Sequence, residues 1–185
     1  KWFGKTLTHS NRRFAYGEAQ KVMETGEGDM AKELGDMKRI ARKLRKQRFK
    51  EGAIAFESEE VRFKLDEDGV PIEVYVKQRR EANMLIEDFM LLANKEVATF
   101  VNKKEKPEIP FVYRVHDLPN PDKVAEFARF AHELGVQLKT DTPQQIAQSY
   151  NELAKKAEAN DALKLLQPIA IRTMAKAEYS TENIG

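Results

Sequence analysis

The sequence has no cysteine, no long apolar run and almost no net charge. The absence of cysteine excludes a disulfide scaffold and any thiolate zinc site, and is typical of a reducing cytoplasm. No apolar stretch approaches the roughly 18 residues of a spanning helix, and the first residues lack the pattern of a secretory signal. We therefore expect a soluble cytoplasmic protein without a membrane partner. Since 32 basic residues nearly cancel 30 acidic ones, only a local cluster of charge can favour a nucleic-acid partner.

A recognisable catalytic motif is also missing. The three histidines, His9, His116 and His132, have spacings that match no local metal-ligand pattern, and no serine or cysteine nucleophile motif or glycine-rich phosphate loop is present. Two-metal nuclease chemistry needs several converging carboxylates, which the acidic run at 66–68 resembles. Because that run lies between two alternating segments and is followed by Gly69, the pattern favours a solvated hairpin turn.

Hydrophobic patterning predicts one helix-rich α+β domain. With 185 residues, 41% of them hydrophobic, the chain is long enough for a single core. Apolar residues at three- and four-residue steps predict a long amphipathic helix at 29–49, and alternation predicts a β-hairpin at about 53–77 with one buried face. Further predicted elements are a helix at about 80–103, a short strand at 111–115, and helices beginning at Pro121, Pro143 and Asp161.

The helix at about 80–103 carries two adjacent carboxylates in apolar surroundings. At 100° per residue, Glu87 projects between Met90 and Leu91, while Asp88 projects between two other apolar side chains. An unpaired buried carboxylate is costly, so each is expected to be ion-paired, hydrogen-bonded or exposed to a polar cavity.

The predicted helix at 29–49 ends in a dense basic run. Eight of the thirteen residues at 38–50 are lysine or arginine. Such a run can contact phosphates or an acidic partner, or it can be an ordinary solvated face. One interpretation of the chain is therefore a non-catalytic helical module that binds nucleic acid or an acidic protein through residues 38–50.

Five segments of the sequence resemble consecutive pieces of one enzyme family. They are NRRFAYGEAQ, GAIAFESEEVRF, REANMLIEDFMLLANKEVA, FVYRVHDLPNPDK and RTMAKAEYSTENIG. Together they resemble the middle of the catalytic RNB domain of ribonuclease R and ribonuclease II, from about Trp2 to Gly185. The second segment has one residue fewer between its two phenylalanines than in ribonuclease II, and matches the ribonuclease R pattern better.

The resemblance implies a processive, magnesium-dependent 3′-to-5′ exoribonuclease that hydrolyses single-stranded RNA to nucleoside 5′-monophosphates. In that family an aspartate cluster holds the metal upstream, and an arginine downstream steadies the scissile phosphate. Neither is present, so residues 1–185 are expected to be a central fragment of one catalytic domain. The fragment is expected to hold no catalytic or metal-binding residue and to be inactive alone, and no protein partner is predicted.

Three residues are implied to contact RNA. Tyr16 and Glu87 match residues that discriminate the sugar, and Phe56 matches the aromatic residue that stacks on bases near the 3′ end. Without the resemblance, Tyr16 would be a half-buried helix residue, Phe56 a core residue and Glu87 a structurally paired carboxylate. No functional role is implied for Asp88.

Overall fold

A computed structural model describes residues 4–55, 60–103 and 110–184. These residues form seven helices and four short strands, which confirms the helix-rich α+β class. The helices are α1 (Tyr16–Thr25), α2 (Ala31–Lys50), α3 (Glu81–Asn102), α4 (Pro121–Glu133), α5 (Pro143–Ala157), α6 (Asp161–Lys164) and α7 (Leu166–Thr173). The strands are β1 (Val61–Leu65), β2 (Pro71–Val76), β3 (Tyr113–Val115) and β4 (Glu178–Ser180).

The first three helices pack on one another around a small apolar cluster. Met23 of α1, Ala41 of α2, and Ala82 and Leu85 of α3 are its buried members. Alanine at two of these four positions lets the helix backbones approach closely. The long charged side chains of α2 therefore lie within reach of α3.

The last four helices surround a larger core. Phe127, Tyr150, Leu153 and Leu166 are its largest fully buried side chains. The Tyr150 hydroxyl lies 2.8 Å from Thr173 Oγ1, so the one polar atom of this aromatic residue is satisfied inside the core. The predicted starts of α4 and α5 are confirmed, since Asn120 and Thr142 cap these helices and a proline follows each cap.

The connection after α2 joins the two helical groups. The Asn151 side chain on α5 accepts a hydrogen bond from Ala55 N at 2.8 Å and donates one to Ala53 O at 2.9 Å. Ile54 packs against the core of the second group. The predicted start of the hairpin at about residue 53 is therefore wrong. Residues 53–55 dock on α5, and the first strand begins at Val61.

The hairpin itself is confirmed, but its predicted buried face is wrong. Strands β1 and β2 pair antiparallel, and Asp66 Oδ1 accepts hydrogen bonds from Asp68 N and Val70 N, so the acidic run is a turn. Every residue of both strands is exposed, including Phe63 at 57% and Val74 at 62%. Alternation places the apolar side chains on one face, but whether another element covers that face depends on tertiary packing.

A second two-stranded sheet pairs β3 with β4. The strand predicted at 111–115 is confirmed in its last three residues, whereas β4 lies in a segment without an alternating pattern. Its pairing partner is more than sixty residues away in the sequence, so no local signal predicts it.

Candidate functional site

The predicted site residue Tyr16 lies where α1 meets the N-terminal end of α3. Gln20 Oε1 on α1 accepts a hydrogen bond from Ala82 N at 3.0 Å. A Cβ atom on Gly17 would lie only 2.7 Å from Arg80 Nη1, which shows how close the two helix ends are. Tyr16 is 50% exposed beside this junction.

Glu87 is a surface carboxylate held by two arginines. Arg79 Nη2 donates to Glu87 Oε2 at 2.5 Å, and Arg48 Nη1 lies 3.6 Å from Glu87 Oε1. The Glu87 side chain is 41% exposed, which corrects the expectation that apolar neighbours enclose it. The physical reason is that Met90 and Leu91 are themselves exposed, at 59% and 40%.

Asp88, the next residue, is buried and fully paired. Its side chain is 1% exposed. Oδ2 accepts two hydrogen bonds from Arg45, at 2.9 and 2.7 Å, and Oδ1 accepts one from Arg48 at 3.0 Å. Of the three environments expected for this carboxylate, the structure shows the ion-paired and hydrogen-bonded one. Arg48 therefore links a buried carboxylate to the exposed carboxylate beside it.

A third carboxylate extends this row of ion pairs between α2 and α3. Glu81 accepts two hydrogen bonds from Arg42, at 2.5 and 2.7 Å, and Lys38 Nζ lies 3.8 Å away. The hydrogen bond from Arg42 holds the pKa of Glu81 below its ordinary value, against a smaller opposing effect of burial. The same contact raises the pKa of Arg42.

The pairing of part of the basic run with carboxylates on α3 was not predicted from the sequence. Arg42, Arg45 and Arg48 recur at three-residue steps and meet carboxylates seven residues apart on α3, at Glu81 and Asp88. Seven residues are two helical turns, so matched spacings of opposite charge on two helices were the available signal. Half of the basic run therefore has a structural role.

The three predicted RNA-contacting residues are only partly brought together. Tyr16 and Glu87 belong to the same three-helix group, but no hydrogen bond joins them in the part of the chain that the structure describes. Phe56 lies outside the described residues. The predicted roles of all three stay predictions.

The implied magnesium ion finds no fitting set of ligands among the described residues. Within 4–55, 60–103 and 110–184, no group of three or more histidine, cysteine, aspartate or glutamate residues could hold a metal ion. Glu87 and Asp88 are adjacent, but their oxygen atoms are already bound by arginines. Magnesium prefers near-octahedral oxygen ligands, which this arrangement does not offer.

The helices also fail the dimensions of a membrane span. Among the described residues, none is both long enough and apolar enough to cross a bilayer.

The RNB domain family model matches residues 1–185, and the chain belongs to this family. DIS3-like exonuclease 2 of Schizosaccharomyces pombe is 34% identical over 97% of the chain, and ribonuclease R of Ureaplasma parvum is 31% identical over 91%. The chain spans 21% and 24% of the length of these relatives.

Solved structures agree on the fold. Mycoplasma genitalium ribonuclease R, in complex with ribose-methylated single-stranded RNA, matches with a TM-score of 0.76 and 26% identity, over 91% of this chain and 27% of that one. Yeast Ssd1, described as a pseudonuclease, matches with a TM-score of 0.60 and 16% identity over 90% of this chain and 20% of its own. Because the second likeness shows the fold alone, activity has to be argued from residues.

Proposed function

We propose that residues 1–185 are the central part of the catalytic domain of a processive 3′-to-5′ exoribonuclease. The complete enzyme would hydrolyse single-stranded RNA to nucleoside 5′-monophosphates in the cytoplasm. The observation that carries this proposal is the match of the RNB family model over residues 1–185. Relatives named as an exonuclease and as ribonuclease R support it.

The part of this chain in the reaction would be to form a wall of the RNA channel. A 2′-hydroxyl both donates and accepts hydrogen bonds and is absent from DNA. Glu87 can accept a hydrogen bond from it, since an ionised carboxylate offers about four lone-pair sites and the two arginines occupy only some of them. The contacts from Arg79 and Arg48 limit the conformations of Glu87, so less order has to be imposed when RNA binds.

Tyr16 would contribute from the neighbouring helix end. Its phenol is half exposed and can donate or accept a hydrogen bond at the same sugar. Phe56 would stack on bases, which suits a processive enzyme because stacking on an aromatic ring tolerates every base.

The metal would be held elsewhere in the enzyme. Since the described residues offer no fitting carboxylate group for magnesium, we propose that its ligands, and the arginine that steadies the scissile phosphate, belong to parts of the enzyme outside this chain. The 185-residue chain alone is then inactive.

The experiment that tests the function uses the complete enzyme and the chain in parallel. Each is incubated with magnesium and uniformly labelled single-stranded RNA, so that both the limit product and the released mononucleotides carry label. We expect the complete enzyme to convert the RNA to a short limit product and nucleoside 5′-monophosphates, without intermediate lengths, and the chain to release nothing. Absence of monophosphates from the complete enzyme would refute the proposed function. Chelator-sensitive release by the repurified chain would refute the proposed inactivity.

A further inference from the structure

The basic run of α2 has two faces, one packed against α3 and one exposed to solvent. One face is occupied by α3, where Arg42, Arg45 and Arg48 pair with carboxylates. Lys38 belongs to the same side and donates a hydrogen bond to Met23 O at 3.0 Å. These four cations stabilise the three-helix group, and their charge is largely neutralised there.

The opposite face of α2 carries a line of cations that we name the cationic stripe. At about 100° per residue, its members fall within an arc of about 60°, on the side away from α3. They are Lys32, Arg39, Lys43, Lys46 and Lys50, and all are exposed. Arg39 pairs with Asp36 at 3.0 Å; within the described ranges, the four lysines have no ion pair.

The spacing of the stripe suits a chain of phosphates. Successive steps of four, three and four residues from Arg39 to Lys50 correspond to about 6, 4.5 and 6 Å along the helix. Access is open on this face, because a Cβ atom added to Gly35 would meet nothing within 4 Å. Long lysine side chains can therefore reach several charges of an extended polyanion.

The chemistry of the stripe favours RNA backbone over an acidic protein. Specific protein interfaces have an apolar, often aromatic core surrounded by a polar rim. The five members of the stripe are all cations, with Asp36 at its edge, and the exposed apolar residues Ile40 and Phe49 lie about a quarter turn from its centre on either side. Phosphate neutralisation needs no apolar core, because the binding free energy comes from release of counterions.

We propose that the cationic stripe binds the phosphates of single-stranded RNA, apart from the sugar-reading residues. The inference rests on the proposed function, which supplies RNA as the ligand. The stripe lies across the diameter of α2, about 10 Å, from the side that contacts α3 and Glu87. It holds a stretch of RNA other than the nucleotide at the candidate site. Because it contacts only phosphates, it does not discriminate base or sugar.

The test measures how salt weakens RNA binding by the purified chain. The probe is a fluorescently labelled single-stranded oligouridylate, and its affinity is measured by anisotropy at several salt concentrations. The variant carries Lys43→Gln and Lys46→Gln. The matched control carries Lys155→Gln and Lys156→Gln, which remove the same charge from an exposed part of α5.

Two lost phosphate contacts have a definite signature. Each contact contributes about 0.7 to the slope of log affinity against log salt for a single strand, so the variant should lose about 1.4 of that slope. Between 50 and 200 mM salt, the unsubstituted chain should lose about seven-fold more affinity than the variant. The control should keep the slope of the unsubstituted chain.

Several outcomes would overturn the proposal. They are no measurable RNA binding by the unsubstituted chain at 50 mM salt, an unchanged slope in the stripe variant, and an equal change in the control. Tighter binding of polyglutamate than of RNA would assign the stripe to an acidic protein instead. Circular dichroism spectra of all three chains serve as the check that folding is intact.

A DNA arm separates this inference from the proposed function. The stripe should bind matched DNA and RNA strands alike, whereas sugar selection belongs to Glu87 and Tyr16. The affinity that the stripe variant loses should therefore be equal on RNA and DNA, and a loss confined to RNA would refute binding of the stripe through phosphates alone. Conversely, if the complete enzyme releases no monophosphates, the proposed function fails, but the salt slope expected for the chain stays the same.

Discussion

Two adjacent carboxylates on α3 have opposite environments. Asp88 is buried against Arg45 and Arg48, whereas Glu87 is 41% exposed. Apolar neighbours along one helix predicted burial for both, but burial depends on which side of α3 another helix covers. The sequence thus predicted the pairing of Asp88 correctly and the surroundings of Glu87 wrongly.

The adjacent pair offers a matched test of stability. Asp88→Ala leaves Arg45, 20% exposed, without its carboxylate and Arg48 with only the longer contact to Glu87, so unfolding free energy should fall by about 3–5 kcal/mol. Glu87→Ala removes an exposed pair and should cost at most about 1 kcal/mol. Urea unfolding followed by circular dichroism measures both. Equal losses would contradict the difference in burial.

The proposed sugar discrimination by Glu87 and Tyr16 can also be tested at single residues. In the complete enzyme, Glu87→Ala combined with Tyr16→Phe should raise cleavage of DNA relative to RNA. In the unsubstituted enzyme, DNA leaves the polar groups of these two residues without a hydrogen-bond partner, and the double variant lacks those groups. The measurement is the ratio of initial rates on matched single strands. Arg79→Gln, which frees Glu87 from its shortest contact, is expected to shift the ratio less. An unchanged ratio in the folded double variant would show that Glu87 has only a structural role.

At the scale of elements, α2 and α3 are joined by matched charges. Three- and four-residue periodicity predicted α2, and the start signals at Asn120 and Thr142 predicted where α4 and α5 begin. Strand β4 was not predictable, because its pairing with β3 is set by the distant fold. The same limit explains why the division of the basic run between α3 and solvent emerged only from the structure.

The contact between Glu81 and Arg42 predicts a dependence of stability on pH. Because the folded-state pKa of Glu81 lies below its unfolded value, the contribution is complete above the ordinary glutamate pKa of 4.5. It is lost as pH falls through the lower, folded-state pKa. Glu81→Gln should therefore cost about 1 kcal/mol at pH 7 and little at strongly acidic pH.

The control for this titration is a double-variant cycle. In a chain that already carries Arg42→Gln, adding Glu81→Gln should change stability much less at pH 7, because the contact is already gone. Thermal unfolding across the pH range supplies the data. A cost of Glu81→Gln that is equal at every pH would show that the carboxylate charge is irrelevant.

At the scale of the whole molecule, the hairpin exposes one apolar face to solvent. Phe63, Ile72 and Val74 are each more than half exposed. Alternation in the sequence and the turn signal at 66–69 predicted the hairpin, and the structure gives its register, with Phe63 opposite Val74. It predicted the covering of that face wrongly, because covering is a property of the assembled molecule.

The two helical groups are coupled through Asn151, and this coupling can be measured. Its amide makes hydrogen bonds of 2.8 and 2.9 Å to the backbone of Ala55 and Ala53, residues almost a hundred positions away. Asn151→Ala leaves two partly buried backbone groups without these partners, so unfolding free energy should fall by about 1–3 kcal/mol. Gln148→Ala, on the exposed side of the same helix, should be nearly neutral. Urea unfolding compares the two variants, and equal effects would show that the docking of residues 53–55 on α5 contributes nothing to holding the groups together.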